Sequence, residues 1–154
     1  MRVDLICVGR LKERHWRDAA DEYLKRLTPY ARVRVVDIAD CDVSADEVRA
    51  LAAEAADVLR ALPDDAVVVA LDVDGTARSS EGFASWLDAR AVSGQSHVSF
   101  VIGGAAGLHG DVYAKADERF SLGPMTLPHQ MARVVLLEQL YRAFRISRGE
   151  PYHR

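Results

Sequence analysis

Ala66-Val67-Val68-Val69-Ala70-Leu71-Asp72-Val73 is the stretch on which the fold turns. Its apolar run is continuous rather than alternating, which marks a central strand covered on both faces, as in a parallel sheet. Four further segments read as strands: Val3 to Val8, Val33 to Ala39, Val98 to Ile102 and, more weakly, Phe120 to Leu122. Segments of helical period lie between them, from Glu13 to Leu27, Ala45 to Leu62, Glu81 to Ala91 and Gly110 to Asp117, with a last helix from about Pro128 to Ser147. Ser44 followed by Glu47 has the form of a capping box and sets the expected start of the second helix. Strands alternating with helices give an α/β fold with a largely parallel sheet and helices on both faces. There is no repeat, low-complexity tract or long linker, so residues 1–154 are expected to form a single domain.

The composition, 49% hydrophobic and 28% charged, is that of an ordinary globular protein. No apolar run approaches the ~20 residues that cross a bilayer, and the first residues carry no basic flank or cleavage site of a secretory signal. A cytoplasmic protein with no membrane partner is expected. Cys7 and Cys41 lack a CxxC spacing and a neighbouring His, and read as ordinary thiols. The net charge of −3 argues against a coat of positive charge, but its distribution is uneven. His129 to Arg154 holds five Arg against two Glu, and Arg10 to Arg34 holds eight Lys or Arg against four acids, with His15 and Trp16 among them. Two basic segments in an acidic chain fit either local recognition of a polyanion or solvated helix faces.

In helical projection Glu138, Arg142 and Arg145 of the last helix fall within a ~60° sector, and apolar residues cover most of the remainder. A surface helix needs one stripe a little over ~100° wide. The excess points to a second partner, most economically another copy of the chain in a two-fold homodimer. After this helix come Pro151-Tyr152-His153-Arg154, a ring, an imidazole and a guanidinium where most chains end in disposable polar residues.

Three segments follow strands and so reach the end of the sheet where α/β proteins bind ligands. Gly103-Gly104-Ala105-Ala106-Gly107 either lets backbone approach a ligand closely or makes a tight turn; it is neither a GxGxxG fingerprint nor a Walker loop. In Leu71-Asp72-Val73-Asp74-Gly75 the two carboxylates suit capping of backbone amides better than metal binding, and no metal is expected. Leu122-Gly123-Pro124-Met125-Thr126-Leu127-Pro128 is apolar and stiffened by two prolines. Three such loops without a phosphate cradle favour a nucleoside-like ligand. His129 and Arg133, four apart, share a face of the last helix. Arg133 projects toward the apolar side, where it must reach solvent, meet an anion at the helix start or pair with an internal carboxylate. Trp16 and Trp86 are expected in the core or an interface.

Taken together, Val8-Gly9, Glu22-Tyr23-Leu24-Lys25-Arg26, Leu71-Asp72, Ile102-Gly103-Gly104 with Gly107-Leu108, Thr126-Leu127-Pro128-His129, Arg133-Val134, Glu138 to Ala143 and Pro151-Tyr152-His153 span nearly the whole chain. In these motifs and their spacing the chain resembles the RlmH family of SPOUT-class methyltransferases. The resemblance implies a C-terminal trefoil knot, an exception to the rule against knotted chains, and an obligate homodimer. It implies that S-adenosylmethionine binds among Leu71, Gly103, Gly104, Leu122, Gly123, Pro124, Met125, Thr126 and Leu127. It also implies the substrate, N3 of a pseudouridine in the helix-69 loop of 23S rRNA in the large subunit of the assembled ribosome. Ala105-Ala106 stands where many relatives carry a polar or acidic residue, so only backbone contacts are expected from that part of the loop.

For such a reaction His153 is the side chain whose reference pKa suits proton removal, with Arg154, Arg133 or Arg142 stabilising a developing oxyanion. Tyr152 is assigned to packing on the target base or positioning the tail, and His129, Arg133 and Arg142 to substrate binding. Two alternatives stay open at this level: the same chemistry on another RNA, and a ribosome-binding module that keeps the nucleoside pocket without catalysis.

Overall fold

A computed structural model describes residues 1–152. In chain order the elements are β1 (Arg2–Val8), α1 (Arg14–Leu27), β2 (Arg32–Ile38), α2 (Glu47–Ala61), β3 (Val67–Ala77), α3 (Ser80–Val92), β4 (His97–Ile102), α4 (Gly110–Lys115), β5 (Glu118–Ser121) and α5 (His129–Ser147). The five strands form one sheet in the order β2-β1-β4-β3-β5, and every described pairing is parallel.

Strand alternation sorts side chains onto two helix layers. Val3, Leu5, Cys7, Val67, Val69, Val98, Phe100 and Ile102 face a core closed by α1, α3 and α5. Ile6, Val8, Val68 and Val101 face a smaller one closed by α2 and α4. β1 and β4, inside the sheet, are buried almost throughout, whereas the edge strand β2 keeps Arg32 and Arg34 in solvent. Charged side chains on an open edge discourage pairing with another chain.

Three sequence expectations change. β3 continues to Ala77 instead of ending near Val73, because β5 pairs with it on both sides of an irregularity between Leu71 and Thr76. Asp72 and Asp74 therefore lie in a strand, and Asp72 accepts the backbone N–H of Asp74 at 3.2 Å. α2 is capped not by Ser44 but by Asp46, whose carboxylate accepts the Arg49 N–H at 3.0 Å; a charged acceptor also complements the helix dipole. Finally, α5 lies between α1 and α3 on the sheet, so two flanking helices and the strands account for much of its apolar breadth. Leu136, Leu137, Leu140 and Ala143 are fully buried inside one chain.

At the opposite end of the sheet from the strand-end loops, β1, β2 and β4 assemble a polar cluster. Asp4, only 4% exposed, receives a two-pronged bond from Arg34 at 2.8 and 3.0 Å and lies 2.8 Å from Nε2 of His97, whose Nδ1 lies 2.9 Å from Asp65. Burial alone would push the Asp4 carboxyl up, but Arg34 and His97 outweigh it and hold it below the usual range. A carboxyl with a depressed folded-state pKa adds stability above its unfolded value of ~3.9, and that stability is lost as pH falls through the folded value. Asp4→Asn is expected to cost about 3 kcal/mol at neutral pH, the low side of the range for breaking a buried pair because Arg34 is half-exposed. It should also flatten the acid limb of Tm against pH. An unchanged limb between about pH 5 and 2 would show that the cluster does not govern acid stability.

Candidate functional site: the strand-end pocket

The C-terminal ends of β3, β4 and β5 and the start of α5 enclose a cavity of about 690 Å³. Of the residues expected to hold the donor, Leu71, Gly103, Gly104, Leu122, Gly123, Met125, Thr126 and Leu127 line it, together with Ile102, Leu108 and His129. Pro124 is exposed and outside the lining. The size suits a small organic ligand. Among the described residues the lining holds no Lys or Arg, and Asp72 is its one carboxylate.

The glycine loop owes its shape to what glycine lacks. A Cβ on Gly103 would stand 2.7 Å from the backbone C and O of Gly107, so the chain folds onto itself more closely than any side chain permits. The Gly107 N–H donates to the Gly104 carbonyl at 3.1 Å and closes the turn, which is both a tight turn and a pocket wall. Behind the lining residues Leu122 and Gly123, buried Ser121 Oγ lies 3.0 Å from the carbonyls of Val73 and Gly123 and accepts the Gly123 N–H at 3.1 Å. That hydroxyl ties the Leu122 to Pro128 segment to the extension of β3.

His129 and Arg133 diverge in role. Arg133 is 5% exposed; its guanidinium pairs with Asp37 of β2 at 2.9 Å and donates to the Gly9 carbonyl at 2.8 Å. Of the options open to it, the internal carboxylate is the one taken, so Arg133 fixes the start of α5 against β1 and β2. Gly9, with φ of +91°, lies against the His129 ring, where a Cβ would come within 2.8 Å of Cε1. Burial, and then the cation of Arg133, push the His129 pKa down against weaker opposing pulls from Asp40 and Glu13. The imidazole of His129 lines the pocket, and these surroundings disfavour its charged form. Neither Gly9 nor Asp37 is marked as a site residue by the sequence. The only local signal was a glycine directly after an apolar strand. Beneath Arg133, burial pushes the Cys7 thiol up to about 12, which makes it inert.

Arg142 and Tyr152 lie elsewhere. Arg142 is thirteen residues beyond His129 on α5, about 20 Å at 1.5 Å per residue. Its guanidinium donates to Glu138 at 2.5 and 3.0 Å and stands 4.1 Å from the centre of the Tyr152 ring. Tyr152 donates its hydroxyl to Glu138 at 2.7 Å and meets Tyr141 edge-on at 5.2 Å. Burial, then the Glu138 carboxylate, raise the pKa of its phenol, so it stays protonated. His153 and Arg154 lie outside the described residues. Trp86 packs on the larger core and donates to Glu118, whereas Trp16 joins neither core cluster among the described residues.

A parallel sheet with a glycine-walled apolar pocket at its strand ends defines a small-ligand-binding α/β protein. The particular lineage is equally clear: the chain belongs to the SPOUT methyltransferase family, described as "Predicted SPOUT methyltransferase", whose pattern matches residues 1–153. It is 48% identical to the ribosomal RNA large subunit methyltransferase H of Listeria monocytogenes serovar 1/2a and 45% identical to that of Bacillus cytotoxicus. Each alignment covers 100% of both chains. The fold is also similar to that of a probable methylase family protein from Haemophilus influenzae Rd KW20, with a TM-score of 0.55 and 14% identity over 99% of this chain and 70% of that one.

Proposed function

We propose that this protein transfers a methyl group from S-adenosylmethionine to large-subunit ribosomal RNA, and specifically to N3 of a pseudouridine in the helix-69 loop of 23S rRNA on the assembled ribosome. The carrying observation is full-length identity of 45–48% to proteins named ribosomal RNA large subunit methyltransferase H. The expected donor-binding segments also meet around one cavity. On this reading the protein works in the cytoplasm, as one knotted domain in a homodimer, without metal.

The pocket suits the donor: the close turn at Gly103 shapes one wall, and Leu71, Leu122 and Leu127 offer apolar walls with no phosphate-binding cation among the described residues. S-Adenosylmethionine supplies a methyl already activated on its sulfonium, so the protein's task is alignment with the attacking nitrogen. The nucleophile is the harder half. A ring N3–H with a pKa about two units above ambient pH costs about 2.7 kcal/mol to ionise, at 1.36 kcal/mol per unit. In this reading His153 removes that proton, Arg154 steadies the developing oxyanion and Tyr152 positions the tail. His129 meets substrate at the pocket mouth as a neutral hydrogen-bonding group, Arg133 holds it there, and Arg142 anchors Tyr152.

Calorimetry with S-adenosylmethionine, followed by methyl incorporation into intact ribosomes, free large subunits and naked rRNA, tests the proposal. Donor binding with transfer to ribosomes is expected. Donor binding without transfer to any of the three would leave a non-catalytic binding module, and transfer to a different RNA alone would reject the target.

A further inference from the structure

We propose that the loop from Gly9 into the first turn of α1 is the surface that docks RNA beside the donor pocket, with Arg10 and Lys12 on phosphates and Trp16 as a platform for an unstacked base. The proposal rests on the rRNA reading above and adds the residues that grip the RNA.

The first support is position. β1 and β4 are neighbours in register, Cys7 opposite Ile102, so their loops leave the sheet side by side. Val8 Cγ1 would lie 3.1 Å from a Cβ on Gly104, and Gly9 touches the ring of His129. The loop therefore begins at the pocket wall.

The second is charge. Residues 10–17 hold four cations against one carboxylate in a chain of net charge −3. Among the described residues the pocket lining has no cation, so cations just outside it are the ones placed to meet phosphates entering with the target. Arg10 and Lys12 are exposed and form no ion pair among the described residues. Arg14 meets Asp18 only at 3.4 Å with both side chains in water, a contact of little strength.

The third is order. Leu11 packs into the larger core, and the Arg17 guanidinium donates to the carbonyls of Leu11 and Lys12, folding the loop back onto α1. Leu11 turned inward leaves Arg10 and Lys12 on the outside. A merely solvated helix face has no need of such a clamp, because holding backbone and side chains costs entropy. Trp16, half-buried and joined to neither core cluster, stands 5.0 Å from the exposed His15 ring at a 47° tilt. Single-stranded RNA loops are recognised by aromatic stacking of splayed bases plus cations on the backbone, and that is the chemistry present here.

The test is co-sedimentation of the full-length protein with ribosomes across a salt series, with R10E/K12E and Trp16→Ala beside wild type. Losing two phosphate contacts should lower the slope of log affinity against log salt by about 1.4, at ~0.7 per single-strand contact, and weaken binding at least about tenfold. Trp16→Ala should weaken binding roughly five- to 150-fold, the span of base–aromatic stacking, and Trp16→Phe should restore most of it. S-Adenosylmethionine affinity and the sedimentation coefficient of the free protein should not change. Wild-type affinity and salt slope in R10E/K12E would overturn the proposal. So would a loss accompanied by dissociation of a dimer, which would make the loop a contact between copies. Wild-type protein that binds ribosomes through this loop but transfers no methyl would reject the catalytic reading and leave the docking surface standing.

Discussion

Gly103→Ala is expected to weaken S-adenosylmethionine binding by up to about 100-fold without unfolding the protein. The added Cβ would meet the backbone of Gly107 at 2.7 Å, and backbone cannot rotate away as a side chain can. Relief requires the turn closed by the Gly107–Gly104 bond to open, which moves one wall of the pocket. Overpacking of this kind costs ~1–3 kcal/mol, and at about 1.4 kcal/mol per tenfold the upper part of that range is two decades in affinity. Gly104→Ala is the matched control. Its Cβ would lie 3.1 Å from Cγ1 of Val8, the end of a side chain that can yield by a few tenths of an ångström, so its loss should stay below about tenfold. Calorimetry measures both variants, with Tm as the check on folding. Equal affinity in wild type and Gly103→Ala would remove the glycine loop from the donor site.

How much of this was legible in the sequence depends on whether a feature is local. The uninterrupted Val67 to Leu71 run announces a strand covered on both faces, and β3 is indeed an inner strand between β4 and β5. Its continuation to Ala77 was not legible, because Asp72-Val73-Asp74-Gly75 has the composition of a turn and only pairing with β5 keeps it extended. The convergence of three strand-end loops follows from parallel topology alone. The partner of Arg133 does not: Asp37 lies 96 positions away in another strand, a distance no helical spacing encodes. Likewise Asp4 looks like a lone acid in an apolar strand until β2 and β4 bring Arg34 and His97 to it. The breadth of the apolar surface on α5 was visible, but its cause was not, since one chain already supplies α1 and α3 as flanking partners. Apolar breadth is thus a weaker argument for the homodimer than the placement of the tail.

That placement carries the remaining prediction: removing Tyr152 to Arg154 should preserve fold, association and donor affinity while lowering turnover about 10²- to 10⁴-fold, the range for a lost general acid–base group. Within one chain Tyr152 is seated on Glu138, Tyr141 and Arg142, with Arg142 about 20 Å along α5 from His129 at the pocket. With Tyr152 seated there, the tail is expected to act on the pocket of a neighbouring copy rather than on its own. Mixed dimers separate the two arrangements. One chain carrying Gly103→Ala and an intact tail, paired with a tail-deleted chain with an intact pocket, forms one complete site only if pocket and tail come from different chains. Recovery of up to half the wild-type turnover is expected, and none would place the tail on its own pocket. His153→Ala should lower turnover more than donor affinity. Its deficit should shrink as pH rises, because solvent then supplies the N3 anion that the imidazole otherwise generates. A deficit independent of pH would reject proton removal by His153 and leave it a clamp on the substrate, whereas full activity in the truncated protein would exclude the tail from the site altogether.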